Sequence, residues 1–139
     1  MNRRSRSKRI LGFIVNPIAG IGGRVGLKGS DSEEIVERAL KMGGKPLSPQ
    51  RAEEALIAIK ALDPSIYIVT YPFEMGEDEA RSVGLDFRVL GKIVRGGTTG
   101  EDTRKAVREL EDYGVDLIMF VGGDGTARDI LDSLTCNTV

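Results

Sequence analysis

Apolar positions along the chain fall in short dense runs, separated by stretches with helical spacing. Ile10-Leu11-Gly12-Phe13-Ile14-Val15 is almost continuously apolar, the pattern of a strand buried on both faces of a parallel sheet. Asn16-Pro17 stops it, and a glycine-rich loop follows to about Ser30. Asp31 or Ser32 then offers an N-cap, and the spacing of Ile35, Val36, Ala39 and Leu40 predicts a helix to Met42 that Gly43-Gly44 ends. Ser48 is the expected cap of a second helix, with Pro49 in its first turn, running through Ala55, Leu56 and Ile59 to about Leu62.

Residues 66–71 are β-branched and aromatic and predict a second strand, closed by Pro72. A short helix over 77–83 leads to a third strand at 86–90, with an extension toward Val94 in reach. Thr98 or Thr99 can cap a helix over 101–113 that turns Ala106, Val107 and Leu110 inward. Residues 116–121 form the fourth and most hydrophobic strand, read as buried, and 122–126 turn into a last helix at about 127–134. Strands alternating with helices predict an α/β fold: three layers, a mostly parallel sheet with helices on both faces, and right-handed crossovers.

The 139 residues fit one domain. They include no His and one Cys, Cys136, which excludes Ser-His-Asp and Cys-His catalysis, histidine metal sites and internal disulfides. Chemistry here falls to carboxylates, hydroxyls, backbone and basic side chains. Charge is uneven: Arg3, Arg4, Arg6, Lys8 and Arg9 make residues 1–9 a basic, flexible arm, and without those five, 15 basic residues face 21 acidic ones. With no aromatics interleaved for stacking, the arm reads as a solvated terminus, so neither a nucleic-acid nor a membrane partner is expected. The apolar run at 10–15 is too short for a signal peptide and ends in Asn16-Pro17, so a cytoplasmic location is expected.

Glycine, 18 residues, gathers at 20–29 and 96–125. Phe120-Val121-Gly122-Gly123-Asp124-Gly125-Thr126 leaves a strand and opens a helix, at the sheet edge where open α/β folds bind ligands. Its glycines bare backbone N–H groups beside a helix N-terminus, which suits phosphate. A carboxylate in such a cradle would repel the ligand unless Asp124 holds Mg²⁺ or accepts a proton from an attacking hydroxyl; Thr126 can donate to a phosphate oxygen. The other reading is a tight turn with Asp124 as helix cap.

A second glycine loop, Asn16-Pro17-Ile18-Ala19-Gly20-Ile21-Gly22-Gly23-Arg24, follows the first strand. It is no dinucleotide fingerprint, because Val25 stands where the third glycine belongs, and no Gly-Lys-Ser/Thr makes it a Walker A loop. With Arg24 nearby and the 122–126 loop at the same edge, it would complete a nucleotide phosphate site; alone it would be a surface loop. In Arg95-Gly96-Gly97-Thr98-Thr99-Gly100, the hydroxyls of Thr98 and Thr99 can meet a phosphate or ribose, or cap the helix.

Together these segments resemble the superfamily of NAD kinases, diacylglycerol and sphingosine kinases, and 6-phosphofructokinases. Gly-Gly-Asp-Gly-Thr at 122–126 looks like its nucleotide motif, Asn16-Pro17 with Gly20 is similar to its Asn-Pro-x-Ser/Ala-Gly signature, and Thr98-Thr99 with Glu101-Asp102 looks like its Thr-rich segment. The run 14–29 with 122–130 is closest to the ATP-NAD kinase branch, within it the acetoin-catabolism-associated subgroup. The resemblance implies an NAD kinase/phosphofructokinase-like amino-terminal domain over 10–139. It implies transfer of a phosphoryl group from ATP or polyphosphate, with Mg²⁺, to the adenosine 2′-hydroxyl of NAD, giving NADP. Asp124 would be the catalytic carboxylate and a contact of the metal. Gly122, Gly123, Gly125, Thr126, Asn16, Gly20, Gly22, Gly23, Arg24, Thr98 and Thr99 would line the nucleotide site. Family members are commonly homo-oligomers and carry a second, β-rich domain whose Asn-Glu pair holds the NAD ribose. The chain ends before such a domain, so it is expected to be part of a longer protein and inactive, or nearly so, by itself. A lipid or sugar kinase of the same superfamily, or a non-catalytic nucleotide-binding module, are the competing readings.

Overall fold

The computed structural model describes residues 8–19 and 47–135. The predicted helix at 31–42, residues 1–7 of the basic arm, and Gly20, Gly22, Gly23 and Arg24 lie outside the described residues.

Strand β1 (Ile10–Val15) is followed by helix α1 (Ser48–Leu62), strand β2 (Tyr67–Thr70), a 3-10 turn (Phe73–Met75), helix α2 (Glu77–Val83) and strand β3 (Asp86–Val89). Helix α3 (Gly100–Tyr113), strand β4 (Leu117–Val121) and helix α4 (Asp124–Ser133) complete the described residues. All pairings are parallel and the spatial order is β3-β2-β1-β4. The chain therefore builds outward from β1 on one side through β2 and β3, then returns to β1's other side as β4.

Alternation along β1 sorts the helices into two layers. Leu11, Phe13 and Val15 point to one face, where they pack with Ala52 and Leu56 of α1, Ala80 of α2 and Leu85. Ile14 points to the other, with Val69, Tyr71, Ala106, Val107 and Leu110 of α3, and Ile130 of α4. The fold is a three-layer α/β sandwich. Gly12 lets α3 come down onto the sheet, since a Cβ there would stand 3.2 Å from both Leu110 Cδ1 and Val115 Cγ2.

Several local expectations are corrected. Ser48 does not cap α1: it is the first helical residue, and its buried hydroxyl donates to the Ala19 carbonyl (3.2 Å), tying the loop after β1 to the start of α1. Strand β3 stops at Val89: Leu90 N–H makes the last bond to β2, on Thr70 O (2.9 Å), and Gly91, at φ +66°, then turns the chain over Tyr71. Strand β4, whose dense apolar run reads as a buried strand, is paired on one side only among the described residues, with Leu117 41% and Phe120 37% exposed. Helix α4 starts three residues earlier than the hydrophobic spacing indicates, at Asp124. The base of the arm is pinned to the sheet. Arg9 O accepts from Tyr67 N–H (3.1 Å), and Lys8 pairs with Asp86 (3.5 Å) while lying over the Tyr67 ring.

Candidate functional site

The topology fixes where a ligand crevice opens. From β1 the chain moves to one face of the sheet and from β4 to the other, so the loops after their carboxyl ends part around a crevice at the switch in strand order. The two loops that carry Asn16 and residues 122–126 sit there. Asn16 N–H extends the β1–β4 ladder by bonding Val121 O (2.9 Å). Its side-chain amide donates to Thr126 Oγ1 (2.9 Å), and its carbonyl accepts from Ile18 N–H (3.2 Å) in a local turn.

The turn into α4 is built for close approach. Gly123 is the N-cap residue and has no side chain to satisfy the first helical N–H groups; no side-chain cap bond is present. Asp124, in the first turn, is exposed and does not cap the helix, so the reading of 122–126 as an ordinary Asp-capped turn is not what the structure has. Gly123 opens onto free space, whereas a Cβ at Gly122 would collide with Thr126 Oγ1. A side chain at 122 therefore cannot be added without moving Thr126, which is buried. Bare N–H groups, the positive end of a helix dipole and glycine backbone make an anion cradle.

The other predicted residues divide. Thr99 is occupied as the N-cap of α3: its hydroxyl accepts from Asp102 N–H (3.4 Å), while Asp102 Oδ2 accepts from Thr99 N–H (2.9 Å), a reciprocal capping box. Thr98 donates to Glu74 Oε1 (3.3 Å). Helix α3 is set against α4 by Arg104, which bonds Asp129 (2.6 Å), and by Gly100, where a Cβ would meet Asp129 Oδ2 at 2.7 Å.

Sequence reasoning missed the loop after β2. Glu74 reaches across to accept from Gly96 N–H and Thr98; Arg95 bonds Asp78 (3.0 Å) and lies 4.3 Å over the Phe73 ring. The 95–98 segment is thus held by the 73–78 loop. The available signal was the carboxylate density of Glu74, Glu77, Asp78 and Glu79 at a strand's carboxyl end. Glu79 differs from the others in being buried, with Oε2 unpartnered among the described residues. Burial first, then the charges of Asp78, Glu53 and Glu74, push its pKa from 4.5 up to about 7.

Because the folded-state pKa is the higher, Glu79 burdens the fold only where it ionises. The penalty is absent below about pH 4.5, grows as pH rises, and is complete above about 7. Glu79→Gln is expected to match the unsubstituted chain at about pH 4 and to exceed its stability at about pH 8, by on the order of 2 kcal/mol. Urea unfolding at the two pH values checks this; a difference that does not change with pH refutes it.

Among the described residues no cluster of three acidic or thiol side chains could cage a metal ion. A lone exposed carboxylate such as Asp124 does suit Mg²⁺, which is bound through one or two carboxylates together with phosphate oxygens and water. No described helix is long and apolar enough to cross a membrane. A family model, that of the ATP-NAD kinase N-terminal domain, matches residues 11–139. Neither the curated proteins nor the solved structures give a match.

Proposed function

The chain belongs to the ATP-NAD kinase family through its N-terminal domain, and from that premise we propose that it supplies the phosphate-binding half of an enzyme that makes NADP from NAD. The observation that carries the reading is the uncapped start of α4, joined to the loop after β1 by the Asn16–Thr126 bond at the switch in strand order. The phosphoryl donor, ATP or polyphosphate, lays its phosphates on the backbone of Gly122, Gly123 and Gly125. The resemblance assigns Gly20, Gly22, Gly23 and Arg24, which lie outside the described residues, to binding the same phosphates.

Asp124 stands exposed in the first turn of α4, next to Gly123 and Gly125, where it would accept the proton of the attacking 2′-hydroxyl and could offer one ligand to Mg²⁺. The metal, when bound, neutralises charge on the transferring phosphoryl group. Phosphoryl transfer depends chiefly on positioning and charge neutralisation, so a domain without histidine is equipped for it.

Calorimetric titration of the purified chain with ATP, inorganic tripolyphosphate and adenosine, each with Mg²⁺, tests the reading. ATP and tripolyphosphate are expected to bind about tenfold or more tighter than adenosine, since the contacts are to charged oxygens. Equal affinity for adenosine, or no binding of either polyphosphate, overturns it.

A further inference from the structure

The two ends of the Asn16 side chain are told apart by their partners. Ile18 N–H can only donate, so the atom facing it at 3.2 Å is the oxygen, and the amide nitrogen faces Thr126 Oγ1 at 2.9 Å. An amide nitrogen only donates. The Thr126 hydroxyl must therefore accept from Asn16, which leaves its own hydrogen for a different acceptor, and it donates to no partner among the described residues. Thr126 is packed under Gly122, the residue with which the cradle begins. Thr98 has the opposite polarity: Glu74 takes its hydrogen, so only lone pairs remain to offer.

We propose that Asn16 is a positioning residue that acts through Thr126. By occupying a lone pair of the Thr126 hydroxyl, it turns that hydroxyl's hydrogen away from itself, and the start of α4 thereby offers a donor that a phosphate oxygen can accept. Asn16 does this without touching the ligand itself. The inference rests on the phosphate-site reading above and adds to it which side chain meets the phosphate and which one aims it.

The test is a double-mutant cycle on the purified chain, with the dissociation constant for inorganic tripolyphosphate in Mg²⁺ as readout. Asn16→Ala and Thr126→Val are each expected to weaken binding about tenfold, the worth of one hydrogen bond to a charged oxygen, and the double variant about tenfold again rather than a hundredfold. Thr126→Ser, which keeps the hydroxyl, is expected to retain binding; a purely structural tie between the two residues would lower the melting temperature of Asn16→Ala in step with affinity, whereas the aiming role weakens binding at a melting temperature within a few degrees of the unsubstituted chain. Effects that multiply would mean Asn16 contacts the ligand independently and would overturn the inference while leaving the phosphate site standing. No tripolyphosphate binding by the unsubstituted chain would overturn both. Should Asn16→Ala fail to fold, the nearly isosteric Thr126→Val decides: unchanged affinity refutes a donor role for that hydroxyl.

Discussion

Asp124→Asn is expected to leave the fold and nucleotide binding in place and to lower phosphoryl transfer about a thousandfold in the enzyme that carries this domain. The fold is spared because Asp124 holds nothing together among the described residues. It is exposed, it makes no cap bond, and the helix it begins is opened by Gly123. Its one contribution to stability is a negative charge at a helix N-terminus, worth about 0.3–1 kcal/mol. Binding is spared or improved, since removing a carboxylate beside an anion cradle removes repulsion. What would be lost, on the proposed reading, is the group that takes the proton from the acceptor hydroxyl and offers a ligand to Mg²⁺. Three measurements on the variant separate these effects: the melting temperature, the dissociation constant for ATP, and the rate of NADP formation. A rate within a few-fold of the unsubstituted enzyme would reduce Asp124 to a helix-dipole charge. Binding lost together with rate would move it from the chemistry to the cradle.

Much of this architecture can be read from local pattern. The apolar run at β1 and the N-terminal signal at α3 depend on neighbours a few residues apart, and helices on both faces follow once strands and helices alternate. The position of β4 does not follow, because a five-residue apolar run reads the same whether it is central or at an edge; that β4 is paired on one side among the described residues, with Leu117 and Phe120 exposed, is visible only in three dimensions. The same limit applies to the site. Residues 122–126 and Asn16 announce themselves as loops between a strand and a helix, but the bond joining them spans 110 positions of sequence. Glu74 is a further case: the carboxylate density at 74–79 marks the loop, but not which carboxylate fastens Gly96 and Thr98, since that role exists only once β2 and β3 lie side by side. Thr99 shows the converse, a hydroxyl that the family pattern assigns to the nucleotide and that a capping box already occupies.

Gly76→Ala is expected to be among the most damaging single substitutions in the domain, costing on the order of 3–5 kcal/mol of the 5–15 kcal/mol typical of a folded domain. Gly76 sits at φ +139°, where L side chains rarely go, and this alone costs about 1–3 kcal/mol. A Cβ there would also collide with Thr70 Oγ1, and that buried hydroxyl has no room to yield, because it donates to Phe13 O (2.7 Å) across the β1–β2 pair. Moving it breaks a hydrogen bond in the core; leaving it forces Gly76 away from β1, whose Phe13 O would stand 3.2 Å from the added carbon, and disturbs the bridge between Gly76 and Tyr71. Alanine's stiffer unfolded chain offsets this by less than about 1 kcal/mol. Gly114→Ala is the contrast: it has φ +91° but nothing within 4 Å of the added carbon, so strain acts there without the clash. Chemical denaturation of both variants should place Gly76→Ala well below Gly114→Ala. If the two fall together, backbone conformation accounts for the whole loss and the contact with Thr70 adds nothing.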